Sequence, residues 1–243
     1  MTWSIVARDP AGDAWGIAVA SRFFAVGALC PHVRPGAGAL STQALINPTY
    51  GLRGLDLLAG GASAAEVVRD LIAGDDGRAA RQVHIVDAQG GVAAHTGADC
   101  IGWCGHRGGE NVSVAGNMLA GPAVVDATYE RYRATAGLPF AERLLAAMEA
   151  GETAGGDKRG KQSACLVIHT TEDYPNLSLR ADDHADPLAE LRRLYGISQG
   201  RYAAFMSFLP TRNNPCGVYD RAVIEAEVQR REALLAQTER GAA

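Results

Sequence analysis

The chain has 243 residues, of which 47% are hydrophobic and 21% are charged, and its formal net charge is -4. This composition excludes wholesale disorder, a collagen-like repeat and a coiled-coil rod, and the length is sufficient for one sizeable core. The mild acidity and the lack of a long basic run argue against a nucleic-acid-binding protein.

The first half of the chain alternates short apolar runs with turn residues. The opening pair of runs flanks a turn rich in Pro, Gly and Asp, which predicts a β-hairpin beginning at residue 2 or 3. Two stretches with helical spacing follow, and Ser63 with Glu66 forms a capping box before the second. The strands predicted in this half are 3–8, 15–21, 38–42, 82–87 and 92–95, and the predicted helices are 50–59 and 62–73.

The second half repeats the pattern of strands followed by helices. Pro122 suits the first turn of a helix, and Asp186 before Pro187 is typical of a helix N-cap. A polar, Gly-rich loop is expected over 151–162. The strands predicted in this half are 112–115, 163–169 and 177–181, and the predicted helices are 125–135, 139–150, 187–194 and an amphipathic, charged one at 222–240.

Strands joined by hairpins predict largely antiparallel sheets, and helices arriving in pairs predict helical layers on the outer faces of those sheets. The expected class is therefore α+β. We expect a main domain over 1–199 and a C-terminal extension over 200–243.

The start of the chain lacks the features of a secretory signal, because Arg8 and Asp9 come too early for a long apolar segment. The most apolar stretch, 14–29, is interrupted by Ser21 and Arg22 and is too short to span a bilayer. Five scattered cysteines do not form a disulfide pattern. We expect a soluble cytoplasmic protein with no membrane partner. Small-residue helices and the amphipathic tail favour a homo-oligomer.

Thr2 is the first candidate for chemistry. Removal of Met1 would leave a threonine with a hydroxyl and a free α-amine on adjacent carbons. The unperturbed pKa of such an amine is about 8, so near neutral pH it can accept the hydroxyl proton. The predicted strand that begins at Trp3 would anchor this residue at a sheet end. Met-Thr also begins many proteins that use neither group in catalysis.

Three further groups carry polar or metal-binding side chains. A zinc site is one interpretation of the first group, although its C-x3-C spacing lacks the paired knuckles of structural zinc sites. The second group could hold a metal or act as an acid–base pair, and the third could bind an anion. Buried cysteines, a helix cap and a solvated loop are the respective structural alternatives. The groups are His95, Cys100, Cys104 and His106; Asp182, Asp183 and His184; and the loop 155–163, which contains Lys158 and Lys161.

The segment 116–121, Gly-Asn-Met-Leu-Ala-Gly, is expected at a strand-to-helix turn. The Asn117 side chain and neighbouring backbone amides could there donate to an oxyanion. The alternative is a tight turn with Asn117 in a left-handed conformation.

Several of these motifs together resemble an uncharacterised prokaryotic family catalogued as domain of unknown function 1028. The resemblance covers Thr2 to about Leu194. The motifs are TWSIVARD at 2–9, AVASRFFAVG at 18–27, TQA at 42–44, NP at 47–48, YG at 50–51, GNMLAG at 116–121, GGDKRGKQSA at 155–164 and DDH at 182–184.

That family is similar to the N-terminal nucleophile hydrolases, which implies a four-layer αββα sandwich and cleavage of an amide bond. Proteasome-like members carry an Asp before Ser-Arg at the end of the second strand, where this chain has Ala20. They also carry a Lys about a dozen residues later, where the nearest cation here is Arg34.

We therefore predict an amidohydrolase that cleaves a small amide substrate without a metal or other cofactor. Thr2, Ser21 and Asn117 are the predicted catalytic residues. Predicted substrate-binding residues are Arg34, Gln43 and Lys161. The alternatives are a metal-dependent hydrolase that uses Asp183 and His184, or a non-catalytic binding or assembly protein on the same fold.

Overall fold

The computed structural model describes residues 2–241, with side chains described up to residue 237. The chain divides into two compact units, the first ending at Leu191 and the second beginning at Arg192. In the described residues, no helix is both long enough and apolar enough to cross a membrane.

Ten strands are present within residues 2–241, and each pair of neighbouring strands is antiparallel. They form a six-stranded sheet and a four-stranded sheet. In chain order the strands are β1 (Thr2–Asp9), β2 (Ala14–Ser21), β3 (Pro31–Arg34), β4 (Gly38–Ala44), β5 (Arg81–Asp87), β6 (Val92–Thr96), β7 (Trp103–Gly109), β8 (Val112–Leu119), β9 (Ser163–His169) and β10 (Leu177–Ala181). The strand orders are β10-β9-β2-β1-β8-β7 and β3-β4-β5-β6.

Two pairs of helices cover the outer faces of the sheets. The first pair packs on the four-stranded sheet and the second pair packs on the six-stranded sheet, while the inner faces of the sheets pack on each other. The pairs are α1 (Thr49–Ala59) with α2 (Ala64–Ala73), and α3 (Pro122–Ala134) with α4 (Phe140–Thr153). The expected four-layer αββα sandwich of an α+β protein is confirmed.

Three helices follow β10 in the chain. They are α5 (Pro187–Ser198), α6 (Arg201–Met206) and α7 (Arg221–Gly241). In the second unit, α6 packs against α7. The Asp186 carboxylate accepts a hydrogen bond from the Ala189 backbone N–H at 3.3 Å, so the predicted N-cap of α5 is confirmed.

Two strands and one helix were absent from the sequence-based expectations. The short β3 begins with proline and lies at a sheet edge, where a missing N–H is tolerated. The edge strand β7 is half exposed and contains three glycines, so it lacks an alternating apolar pattern. The six-residue α6 is too short for helical periodicity to show. The predicted loop over 151–162 was wrong at its start, because α4 continues to Thr153.

The space between the sheets has an apolar half and a polar half. The apolar half is a cluster of buried residues that includes Val6, Ile17 and Val86. The polar half begins at the N-terminal end of β1 and consists of side chains exposed by 4% or less. Its members are Thr2, Ser4, Ser21, Ser41, Gln43, Gln82, His84, Ser113 and Asn117.

Candidate active site

The start of β1 lies between the ends of two neighbouring strands. Thr2 pairs with Ser21 at the end of β2 on one side and with Asn117 near the end of β8 on the other. Residues paired directly across antiparallel strands point to the same face. The three predicted catalytic residues are therefore adjacent in the structure.

The hydroxyl oxygens of Thr2 and Ser21 lie 3.1 Å apart, within hydrogen-bond distance. Either oxygen can act as the donor in this pair. Both side chains are buried. A proton can therefore pass between the two hydroxyls without bulk water.

Asn117 holds the backbone of Thr2 and does not lie in a turn. It lies within β8, and its Nδ2 donates to the Thr2 carbonyl at 3.4 Å and to Gln82 Oε1 at 3.0 Å. A primary amide has only two protons to donate, so both are engaged. The expectation that Asn117 lies in a strand-to-helix turn was wrong. The left-handed residue of this segment is Met118, with φ of 53°.

Gln43 lies between the sheets and is fully buried. Its Nε2 is 2.9 Å from Gln82 Oε1, 3.1 Å from the Ala115 carbonyl and 3.5 Å from the Thr2 carbonyl. Its Oε1 accepts from Ser4 at 2.6 Å. These contacts join the two sheets below Thr2, and they occupy the amide that we predicted to bind substrate.

Gln82 completes this support from the start of β5. Its Oε1 accepts from both Gln43 and Asn117, while its Nε2 donates to the Gly116 carbonyl at 2.8 Å and to Thr96 Oγ1 at 3.0 Å. Gln82 was not among the predicted site residues. Its position in β5, where polar and apolar residues alternate, is the signal that could have identified it.

His84 lies between two serines in the same polar layer. Ser4 Oγ donates its single proton to Gln43, so it must accept from His84 Nε2 at 2.7 Å. His84 Nδ1 then accepts from the Ser113 hydroxyl at 3.0 Å. Burial, together with the nearby charge of His106, lowers the pKa of His84 to about 3. The imidazole is therefore neutral with its proton on Nε2.

This depressed pKa predicts a loss of stability in acid. The unfolded chain has a histidine pKa near 6.5, so between about pH 6.5 and 3 it binds a proton that the folded chain does not. The free energy of unfolding should therefore fall by up to about 1.4 kcal/mol for each pH unit in that window. Urea denaturation of the wild type and His84→Asn at pH 7, 6, 5 and 4 measures this slope. The variant should show a shallower slope, and equal slopes would contradict the assignment.

Lys161 lies in the loop between α4 and β9, which runs beside the end of β2. The next residue, Gln162, donates its backbone N–H to the Ser21 carbonyl at 3.0 Å. The Lys161 ammonium contacts Glu152 at 3.2 Å and Asp186 at 3.1 Å, which compensate its charge. Lys161 thus lies at the same end of the six-stranded sheet as Ser21. Its ammonium group is already bound by two carboxylates.

Arg34 is not brought to this site. It pairs with Gly38 at the opposite end of the four-stranded sheet from Gln43 and Gln82. Its guanidinium instead binds α1, through the Asp56 carboxylate at 2.8 Å and the Leu55 carbonyl at 3.2 Å.

The candidate metal ligands are distributed over β6, β7 and two loops. In the described part of the chain, no three His, Cys, Asp or Glu side chains form a group that could hold a metal ion. Asp183 accepts from the Gln162 side chain, and His184 Nδ1 accepts from the Asp186 backbone N–H at 3.0 Å. His95 lies in β6, whereas Cys104 and His106 lie in β7.

A cavity of about 260 Å³ lies beside Asn117. Two of its lining residues, Ala44 and Met118, have φ of 69° and 53°, the left-handed region that non-glycine residues rarely adopt. Met118 lies at a β-bulge, because Trp103 pairs with Leu119 but Gly105 pairs with Gly116. Bulges and left-handed residues of this kind are common at functional sites.

The left-handed backbone at Ala44 predicts a stabilising substitution. Ala44→Gly removes a conformational cost of about 1 kcal/mol but adds freedom to the unfolded chain, so we expect a net gain of about 0.5 kcal/mol. Ala39→Gly, in the same strand and fully buried, is the matched control and should lose about 1 kcal/mol. Urea denaturation compares the two variants. Equal destabilisation would contradict strain at Ala44.

This chain is similar to a known protein family and to solved structures. Residues 2–191 match DUF1028, described as a family of unknown function. The crystal structure of protein SPO2555 from Silicibacter pomeroyi, assigned to that family, is similar with 32% identity and a TM-score of 0.84, covering 90% of this chain and 99% of that chain. Anbu (ancestral beta-subunit) from Yersinia bercovieri is 13% identical with a TM-score of 0.38, covering 86% and 98%. No curated protein matches the sequence. The chain belongs to the DUF1028 family.

Proposed function

We propose that this protein is an N-terminal nucleophile amidohydrolase that cleaves a small amide after removal of Met1, which lies outside the described residues. The observation that carries the proposal is the hydroxyl contact of 3.1 Å between Thr2, at the start of β1, and Ser21, at the end of β2. The αββα architecture supports it, because that is the fold expected of such hydrolases.

In the first step, Thr2 Oγ1 attacks the amide carbonyl and its proton passes to the Thr2 amine, directly or through Ser21. The C–N bond then breaks, and the same amine returns the proton to the leaving nitrogen. This leaves an ester on Thr2, which water hydrolyses to release the acid. Each step moves one proton and needs no oxidant or metal.

Asn117 and Gln82 are positioning residues in this scheme. Asn117 donates to the Thr2 carbonyl, and Gln82 accepts from Asn117, so the nucleophile is fixed by groups whose own positions are fixed by hydrogen bonds. Lys161 would bind a substrate carboxylate only if that carboxylate displaced Glu152 or Asp186.

A β-lactone electrophile tests the nucleophile without knowledge of the substrate. Attack by Thr2 Oγ1 opens the ring C–O bond and forms an ester on Thr2, which mass spectrometry of the N-terminal peptide detects. We expect one adduct, located on Thr2 and absent from Thr2→Ala. Modification confined to Ser21 or Cys100, or none at all, would contradict the proposal.

A further inference from the structure

We propose that the cavity beside Asn117 is the specificity pocket of this site and receives a short, uncharged aliphatic side chain of the amide substrate. The role of this pocket in catalysis rests on the proposed function. The binding of an aliphatic group in the cavity can be measured separately from that role.

The apolar character of the residues that line the cavity is the first observation that supports an aliphatic ligand. Most of the lining groups are apolar, and among them Leu45 and Ile101 are 64% and 68% exposed. An aliphatic ligand would remove these two side chains from water, which is favourable in proportion to the area covered. The lining residues are Ala44, Leu45, Ala80, Asp99, Cys100, Ile101, Asn117 and Met118.

The size of the cavity is sufficient for a short aliphatic side chain. Its volume of about 260 Å³ lies just below the range of about 300–1,000 Å³ typical of pockets for drug-sized molecules. An apolar cavity of about 150 Å³ already accepts benzene, so a branched side chain of three or four carbons fits here.

The position of the cavity connects it to the nucleophile. Asn117 lines the cavity and is also the residue paired with Thr2 across the strands. The Cβ atoms of residues paired in this way lie about 5 Å apart. Thr2 does not itself line the cavity, so a substrate whose side chain occupies the cavity would extend past Asn117 to bring its carbonyl to Thr2 Oγ1.

The backbone gives independent support. The left-handed residues Ala44 and Met118 come from different sheets, and both line this cavity. Strain of this kind persists where the surrounding structure enforces it, and it is concentrated at ligand sites. Ala44 is the last residue of β4, and Met118 is the next-to-last residue of β8.

Asp99 is the one charged side chain in the lining, and it is exposed at the rim. A carboxylate in this position can remain hydrated while an aliphatic group occupies the interior. We therefore assign an uncharged ligand, and binding of a cationic side chain becomes an outcome of the test.

The test measures binding of N-acetyl-leucinamide and N-acetyl-glycinamide to full-length Thr2→Ala protein by calorimetry or ligand-observed NMR. Thr2→Ala prevents turnover, so the measurement reports binding alone. Each further buried methylene should strengthen binding about fourfold, and the leucine probe should bind at least about tenfold more tightly than the glycine probe.

Two variants in the same background locate the site. Ala80→Leu fills the cavity and should weaken the leucine probe about tenfold, while Ala98→Leu, at an exposed alanine outside the lining, should change it less than about twofold. Ile101→Ser alters an exposed lining residue without affecting the core, and it should also weaken the leucine probe if Ala80→Leu does not fold.

Equal binding of the two probes, or leucine-probe affinity unchanged by both Ala80→Leu and Ile101→Ser, would overturn the proposal. Tighter binding of N-acetyl-lysinamide, abolished by Asp99→Asn, would also overturn it in favour of a cationic ligand. Selective aliphatic binding in a protein without Thr2-dependent turnover would retain the pocket and reject the hydrolase. Thr2-dependent turnover without selective aliphatic binding would retain the hydrolase and reject the pocket.

Discussion

Replacing Thr2 with alanine should reduce the turnover of any amide substrate by at least about a thousandfold, because the nucleophile is removed. The matched control is Thr2→Ser, which keeps a hydroxyl beside the terminal amine and should retain measurable turnover. Single-turnover kinetics on a panel of small amides, ureides and acylated amino acids compares the variants.

Thermal unfolding of both Thr2 variants checks that the loss of turnover results from the missing nucleophile and not from unfolding of the protein. Thr2 makes one side-chain hydrogen bond to Ser21, so removal of its hydroxyl should lower the free energy of unfolding by only about 1 kcal/mol. A folded Thr2→Ala protein with turnover equal to the wild type would refute the role of Thr2.

The largest loss of stability among the site residues is expected for Gln82→Leu. Gln82 is fully buried, and its amide bridges Gln43, Asn117, the Thr96 hydroxyl and the Gly116 backbone carbonyl. The leucine would leave several of these groups buried without a partner. We expect the free energy of unfolding to fall by about 3 kcal/mol.

Gln89→Leu is the matched control for that substitution, because Gln89 is exposed in the turn after β5. Its effect should lie within about 0.5 kcal/mol. Urea denaturation at pH 7 gives both values. If Gln82→Leu were as neutral as Gln89→Leu, the polar layer between the sheets would not support the site in the way described.

The sequence predicts the architecture well where the chain repeats simple patterns. The hairpin of β1 and β2 is recognisable because Pro10, Gly12 and Asp13 interrupt two apolar runs. The capping box at Ser63 and Glu66 is present as expected, with the Ser63 N–H donating to the Glu66 carboxylate at 2.9 Å. These signals are local, so the sequence contains them in full.

The candidate site is less predictable because it depends on pairing between distant strands. Thr2, Ser21 and Asn117 are adjacent only because β1 lies between β2 and β8 in the sheet. The left-handed conformation of Met118 arises from a bulge opposite β7, and nothing in the residue type indicates it. Arg34 was selected as the nearest cation in sequence, yet strand β3 directs it to the opposite end of the second sheet.

In the proposed mechanism, Thr2 becomes the first residue of the working enzyme, with a free amine beside its hydroxyl. Mass spectrometry of the intact protein and of its N-terminal peptide, on the fraction that hydrolyses amides, shows whether the active chain begins at this residue. We expect a chain that begins at Thr2. An active protein that retains Met1 would contradict it, because the Thr2 nitrogen would then be part of a peptide bond and could not accept the proton.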